Sequence, residues 1–437
     1  MRTLLIFLAC FFSYQNLLSQ QQCDSLDAWD SPLWQLQTLD IDDLHANGFT
    51  GKGVRIAVFD NGFLNVDQLP GFEHLDVLFT RDLVEQDDDV YGPCEGTCTH
   101  GQRVLSVMAS RGPDDLTGAA PDAQYLLFRT EDDRNEAKFE EGYWKEAARL
   151  ADSLGADIII SSLVYLTFDD GSGYDKDQLN GRVAITSQAA IAAARKGILV
   201  VNSAGNAGRG GLLAPADADS ILSVGAVYQD ERLAPFSSRG PTADGRIKPE
   251  VVAQGVGVFL VNPQGELSKS NGTSYSAPLV AGLAACLWQA MEEHGLQPDA
   301  QAIRSAIMAS ADRASNPDNN FGYGIPKGAK AYKSLIREEL NVKALCPKNF
   351  AQTTSFIYPN PSQNQAFYAF RMRGDAQVAS IQIMDKTGRL ITSEQIHIAP
   401  DQLYSYPLPS SIKPGHYAVR LVDEQGIRIG GALWMKM

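Results

Sequence analysis

Ser274 stands in the run SNGTSYSAPLVAG (270–282), where small hydroxyl residues, glycine and proline lead into a stretch without a charged side chain from Ala277 to Leu287. Such a stretch predicts a helix buried on nearly every side. Its polar mouth has two readings. The hydroxyls can cap the helix, or one can be a nucleophile held where free backbone N–H groups and the helix dipole favour negative charge. A serine hydroxyl needs a base to take its proton. Histidine can do so at about pH 7, and a carboxylate fixes its tautomer and steadies the imidazolium.

The chain has six histidines. His100, in THGQRVLSVMAS, opens a helical stretch and is the preferred base. His74, in FEHLD, is its rival within the same domain, in a polar segment with no helix-opening glycine; His45, His294, His397 and His416 lie in a lead-in, on a polar helix end and in the tail. Asp60 closes the apolar run VRIAVFD. Attack on a carbonyl makes an oxyanion that needs preorganised donors. The side-chain amide of Asn206, in the glycine-bounded VNSAGNAGRGG, could act with the Ser274 backbone N–H. Taken singly, each has a plainer reading: a turn residue for Asp60, a surface or core histidine for His100, a cap for Ser274, a left-handed turn for Asn206.

The elements that would position these groups alternate. VRIAVF (54–59), QYLLFR (124–129), ADIIISSL (156–163), ILVVNSAGN (198–206) and SILSVGAVY (220–228) read as strands or strand and loop. FEEGYWKEAARLADSLG (139–155) and GRVAITSQAAIAAARKG (181–197) read as helices. That alternation predicts an α/β fold, a parallel sheet flanked by helices on both faces. In such sheets reactive groups collect beyond the carboxyl ends of the strands. QPDAQAIRSAIMASA and GAKAYKSLIREEL are helical. From about Cys346 the pattern turns to alternating segments, AFYAFRM, VASIQIMD and HYAVRLVD, which predict a small C-terminal antiparallel β-sandwich.

With 437 residues, 44% of them hydrophobic, the chain can bury one large core and a smaller second one. A formal charge of −15 argues against nucleic acid as a partner. MRTLLIFLACFFSYQNLLSQ reads as a signal peptide, and no later apolar run reaches the ~18 residues of a membrane span. The expected organisation is a signal peptide over 1–20, an acidic lead-in over 21–50, a main domain over 51–340 and the sandwich over 350–437. Export makes disulfides available. Cys94 and Cys98, in CEGTC, could bridge, in which case Cys23 would pair with Cys346; the sequence leaves the pairing among these four open, and Cys286 is expected to be a buried free thiol. The Cys-x3-Cys spacing has no second ligand pair, so no metal site is expected there.

GKGVRIAVFDNG around Asp60, THGQRV around His100, NSAGN around Asn206, FSSRGPTADGRIKPEVVAQG (236–255) and NGTSYSAP around Ser274 together resemble the subtilisin-like serine proteases, the subtilase family, over roughly residues 45–335. The resemblance implies peptide-bond hydrolysis on protein or peptide substrates. Asp60 would orient His100, His100 would act as base and then acid on Ser274, and Asn206 would hold the oxyanion. It also implies a substrate-backbone segment at Ser162, Leu163 and Val164.

There are departures. Asn61 follows the aspartate where the family has a small hydroxyl residue, and Gln102 and Arg103 alter the histidine block. Val164 replaces a glycine, which would narrow the pocket for the residue before the cleaved bond. Ala253-Gln254-Gly255 replaces Ala-Pro-Gly. No cofactor is implied for the chemistry. Structural calcium, which many subtilases use, could sit at EQDDD (85–89) or FDDGSGYDKD (168–177), but their spacing matches no defined calcium loop, and solvated loops are the simpler reading.

YPNPSQNQAFYAF (358–370), MDKTGRLI (384–391) and IKPGHYAVRLVD (412–423) are similar to the C-terminal sorting domains of the type IX (Por) secretion system of Bacteroidetes-like bacteria. That resemblance implies the secretion machinery as a partner and a secreted or cell-surface location. The alternatives to a secreted endopeptidase are a catalytically silent surface binding protein and an esterase or amidase using the same residues.

Overall fold

The computed structural model describes residues 31–94 and 97–336, then 354–358, 367–371, 377–385, 389–398, 403–423 and 428–436. The signal-peptide reading, Cys23 and Cys346 fall outside those residues. The chain forms two compact units, the first spanning Pro32–Leu340.

In the first unit, strands β1 (Arg55–Asp60), β2 (Asp76–Asp82), β3 (Gln124–Arg129), β4 (Ile158–Ser161), β5 (Leu199–Ser203), β6 (Leu222–Val227) and β7 (Val251–Gln254) form one sheet in the order β2-β3-β1-β4-β5-β6-β7. Every neighbouring pair is parallel. Successive residues of β1 serve opposite faces, as a strand requires. Ile56 and Val58 join one apolar cluster, with helices α3 (His100–Ala109) and α6 (Thr273–Glu293). Ala57 and Phe59 join the other, with α4 (Glu140–Ser153) and α5 (Ile185–Arg195). The strand order places β1 between β3 and β4, so connections leave it in both directions and a crevice opens at its carboxyl end.

α6 is buried from Thr273 through Met291, as its uncharged stretch required. The lead-in contributes to the same core: α1 (Trp34–Gln37) and α2 (Ile41–Ala46) bury Leu36, Ile41 and Leu44. A short hairpin, β8 (Val258–Val261) with β9 (Leu267–Ser270), was not legible as strands. Gln102 and Ser106 of α3 bind it through the Val261 carbonyl (3.0 Å) and N–H (3.1 Å). Gln102, one of the departures, is thus a tie between the histidine helix and this hairpin. α7 (Ala300–Ser310) and α8 (Gly328–Ile336) complete the unit.

Glu250 explains part of the GRIKPEVVAQG block. Its side chain, 5% exposed, takes Lys248 Nζ at 2.7 Å, Arg304 Nη2 at 3.2 Å, and the Ser223 N–H and hydroxyl at 2.8 and 2.7 Å. Two cations and two further donors surround one buried carboxylate, the condition under which such a charge is tolerated.

The second unit carries a three-stranded antiparallel sheet, β10 (Thr354–Tyr358), β11 (Phe367–Arg371) and β14 (Leu403–Pro407), and a four-stranded one, β13 (Leu390–Ile398), β12 (Gln377–Asp385), β15 (Gly415–Asp423) and β16 (Arg428–Lys436). Tyr368 and Phe370 of the first share a core with Ile381, Leu421 and Trp434 of the second, which makes a sandwich.

Candidate active site

Asp60 is the last residue of β1 and is fully buried. Its Oδ1 accepts the Asn61 N–H at 2.9 Å and lies 2.7 Å from His100 Nδ1. His100 opens α3, and the approach of that helix to β1 depends on Gly101. A Cβ there would overlap the Gly62 carbonyl oxygen and come within 2.7 Å of the Asp60 Cβ. With Nδ1–H donating to Asp60, the second ring nitrogen of a neutral imidazole is an acceptor. The His100 side chain is 32% exposed. Desolvation alone would push its pKa down. The Asp60 charge and hydrogen bond, helped by Asp133 and opposed by Arg103, raise it above the ordinary 6.5.

Ser274 is the second residue of α6 and 8% exposed. Its hydroxyl points to the Ser162 carbonyl at 3.5 Å, and the ring of the next residue, Tyr275, lies 6.0 Å from that of His100. Pro278, four residues on, has no N–H to give the Ser274 carbonyl. The Ser162 hydroxyl donates to that carbonyl instead, at 2.9 Å.

Asn206 follows β5 and Gly205. Its Oδ1 accepts the Thr273 N–H and hydroxyl, each at 3.0 Å. Those bonds fix the amide so that Nδ2 faces the opening of α6. The Ser274 N–H belongs to the first helical turn, where N–H groups have no intrahelical acceptor. Both donors converge: a Cβ on Gly272, whose φ of 148° itself disfavours a side chain, would sit 3.7 Å from Asn206 Nδ2 and 3.7 Å from the Ser274 nitrogen. The space beside Gly272 is therefore bordered by two N–H donors.

Ser162, Leu163 and Val164 continue past the end of β4, and the next residue, Tyr165, is tied to Ala214 by N–H to carbonyl bonds of 2.7 and 3.1 Å. The Leu163 carbonyl accepts from Asn202 Nδ2 at 3.1 Å. Val164 is half-buried. This segment lies between the carboxyl ends of β1 and β5 and beside Ser274.

His74 is elsewhere. Desolvation and Arg111 lower its pKa, and its neighbours are Ala109, at the opposite end of α3 from His100, with Pro121 and Asp122 ahead of β3. Asp60, His100, Ser274, Asn206 and Ser162 are brought to one crevice; His74 is not. Sequence reasoning missed Asp133, whose only signal was its place in the acidic run after β3. Its carboxylate accepts from Asn61 Nδ2 at 2.9 and 3.1 Å.

Some carboxylates of the acidic loops cap their own turns, while Asp88 pairs with Arg81 at 3.1 Å and Asp169 accepts the Glu136 N–H at 3.0 Å. Asp89 accepts the Tyr91 and Gly92 N–H groups at 3.0 and 2.9 Å, and Asp170 accepts Ser172 N–H at 2.8 Å. Among the described residues no group of three or more His, Cys, Asp or Glu converges as a metal site. Cys94 and Cys98 are bridged, and Cys286 is a buried free thiol. Among the described residues no helix is long and apolar enough to cross a membrane.

The family model described as the subtilase family matches residues 51–324, more than half of the chain, and one described as a secretion system C-terminal sorting domain matches 356–429. Among relatives, the membrane-bound transcription factor site-1 protease of Mus musculus is 28% identical over 365 residues, covering 81% of this chain and 32% of that protein. A thermophilic serine proteinase of Bacillus sp. (strain AK1) is 31% identical over 279 residues, 62% of this chain and 60% of the relative. The chain thus spans about a third of the first relative and somewhat over half of the second. Among solved structures, the prenylagaramide maturation protease PagA superposes with a TM-score of 0.55 at 24% identity, over 68% of this chain and 99% of that one. The MycP3 protease of the type VII (ESX-3) secretion system gives 0.55 at 22%, over 70% and 89%. These two likenesses concern the fold alone.

Proposed function

The chain belongs to the subtilase family, and from that membership and the site geometry we propose that it is a secreted serine endopeptidase working through Asp60, His100 and Ser274, with Asn206 as oxyanion donor. The observation that carries this reading is the convergence of Asn206 Nδ2 and the Ser274 N–H beside Gly272, next to a histidine already hydrogen-bonded to a buried aspartate.

A substrate chain lies along Ser162, Leu163 and Val164 with its scissile carbonyl over Ser274. The Ser274 hydroxyl turns from the Ser162 carbonyl to the free nitrogen of His100, which accepts its proton as the oxygen attacks. Negative charge builds on the carbonyl oxygen in the space bordered by Asn206 Nδ2 and the Ser274 N–H, and the amino-terminal end of α6 favours it. Asp60 stabilises the imidazolium without taking its proton. His100 then protonates the leaving amine. Water repeats the sequence on the acyl-enzyme with His100 again as base. Side chains named above handle every proton; calcium held by the loops at 85–89 or 168–177 would be structural.

The sorting-domain match places the chain among proteins exported by type IX secretion to the cell surface or outside the cell. We assign the secretion machinery as partner of the C-terminal sandwich.

The test is a serine-directed fluorophosphonate applied to the purified exported protein and to Ser274→Ala, with casein cleavage in parallel. Labelling and cleavage lost together in the variant support the reading. Labelling with ester turnover but no protein cleavage marks an esterase. A folded wild-type protein that neither labels nor cleaves overturns the reading in favour of a silent binding protein.

A further inference from the structure

Asn61 departs from the small hydroxyl residue of its family, and its side chain does not bind the Asp60 carboxylate beside it. Its Oδ1 accepts the Gly101 N–H at 3.1 Å, at the first turn of the helix that begins with His100. Its Nδ2 donates to both oxygens of Asp133, at 2.9 and 3.1 Å. The same Asp133 carboxylate accepts the Thr97 N–H (2.8 Å), the Thr97 hydroxyl (3.0 Å) and the Cys98 N–H (3.2 Å). Cys98 is bridged to Cys94. A continuous run of hydrogen bonds therefore leads from the disulfide loop, through an exposed carboxylate, to the backbone next to His100.

We propose that Asp133, acting through Asn61, is a positioning residue for His100, and that the Cys94–Cys98 bridge holds the loop whose N–H groups keep Asp133 in place. The proposal rests on the serine-peptidase reading of this site. Asn61 can hold Gly101 only while its amide is kept from rotating, and a bidentate acceptor on the amide nitrogen does that. The same geometry gives Asp133 an electrostatic effect. Burial pushes its own carboxyl up, but the donors from Asn61, Thr97 and Cys98 outweigh this and hold it below the ordinary carboxylate value, so it is charged wherever His100 titrates. The charged groups acting on His100 are Asp60 at the end of β1, Asp133 after β3 and Arg103 on α3. Glu140 of α4 also feels the Asp133 charge. Removing that charge must lower the pKa of His100, which a purely structural contact would not do.

The experiment compares kcat/KM against pH for wild type, Asp133→Asn, Thr97→Val and the double variant Cys94→Ser/Cys98→Ser, with fluorophosphonate labelling of each and a thermal melt as a check of folding. Asp133→Asn keeps the shape but turns one acceptor into a donor facing Asn61 or Thr97. Its expected result is a fall in kcat of about 10-fold or more, the scale of a displaced catalytic group, with KM little changed and the acid limb moved to lower pH. Thr97→Val removes one donor at an exposed position and should fall in the same direction by less. The bridge-free variant should lose kcat without moving KM. An Asp133→Asn protein with wild-type kcat and an unmoved acid limb overturns the positioning role while leaving the serine-peptidase reading intact. Wild-type kcat in the bridge-free variant overturns the part assigned to the disulfide. A wild-type protein that neither labels nor cleaves overturns the underlying reading and the proposal with it.

Discussion

The Ser162 hydroxyl donates at 2.9 Å to the carbonyl of Ser274, the one carbonyl at the start of α6 that Pro278 leaves without its helical partner. The end of β4 is thereby pinned to the backbone of Ser274, the proposed nucleophile. Ser162→Ala leaves a buried carbonyl unsatisfied, which costs about 1–3 kcal/mol. The expected outcome is a lowered melting temperature together with a loss of kcat, read from a thermal melt and steady-state kinetics. A variant with both unchanged would show that the bond carries neither role.

The pH dependence follows from His100. Its pKa is raised by Asp60 and, less strongly, by Asp133 against the effect of desolvation. The base must be neutral, so kcat/KM should rise with pH along a limb whose midpoint lies above 6.5. Stability linked to this group runs the other way. A folded-state pKa above the unfolded value gives stabilisation that is full in acid and disappears as pH rises through the folded pKa. Activity gained and stability lost over one pH range would identify the same proton in both. A limb centred below 6.5 would contradict this account of the site.

Asn206→Ala removes one oxyanion donor and leaves the Ser274 N–H. The expected loss is on the order of 10²–10³ in kcat with KM nearly unchanged, because the bond forms only as charge develops. Asn206 also accepts from Thr273, so the melt must be recorded beside the kinetics. A loss confined to KM would place Asn206 in binding rather than in charge stabilisation.

Glu250→Ala strips the buried carboxylate from Lys248 and Arg304. Breaking a buried pair from one side costs about 3–5 kcal/mol, since the remaining charge is left without compensation. Denaturant unfolding should show that loss. Replacing both Glu250 and Lys248 by apolar residues should cost less than Glu250→Ala alone, and the reverse order would mean that the carboxylate's bonds to Ser223, not the charge pair, dominate.

β3 is legible as Gln124–Arg129 because a central parallel strand is buried on both faces and appears as an unbroken apolar run. β2 is not, for the opposite reason. Asp76–Asp82 lies at the sheet edge, every residue but Asp82 is at least partly exposed, and its register with β3 slips between Val77 and Phe79. The β8–β9 hairpin has four residues to a strand and owes its place to Gln102, Ser106 and Gln35, which no local pattern announces. The residues proposed to react stood out because hydrolysis by serine restricts which side chains can serve and each sits at the end of a recognisable strand or helix. Asn61 was visible only as a departure, since its partner Asp133 is far along the chain and the pairing exists only once β1 and β3 lie side by side.

The strand order has a consequence for timing. Asp60 ends the central strand and emerges early, but Ser274 belongs to a helix that follows all seven strands of the sheet in the chain. In the folded unit α6, which packs against the sheet that β4 to β7 complete beside β1, brings Ser274 to the crevice beside His100. A chain synthesised only as far as β7 therefore carries Asp60 and His100 but not Ser274, so the proposed site is completed only by the last third of the first unit.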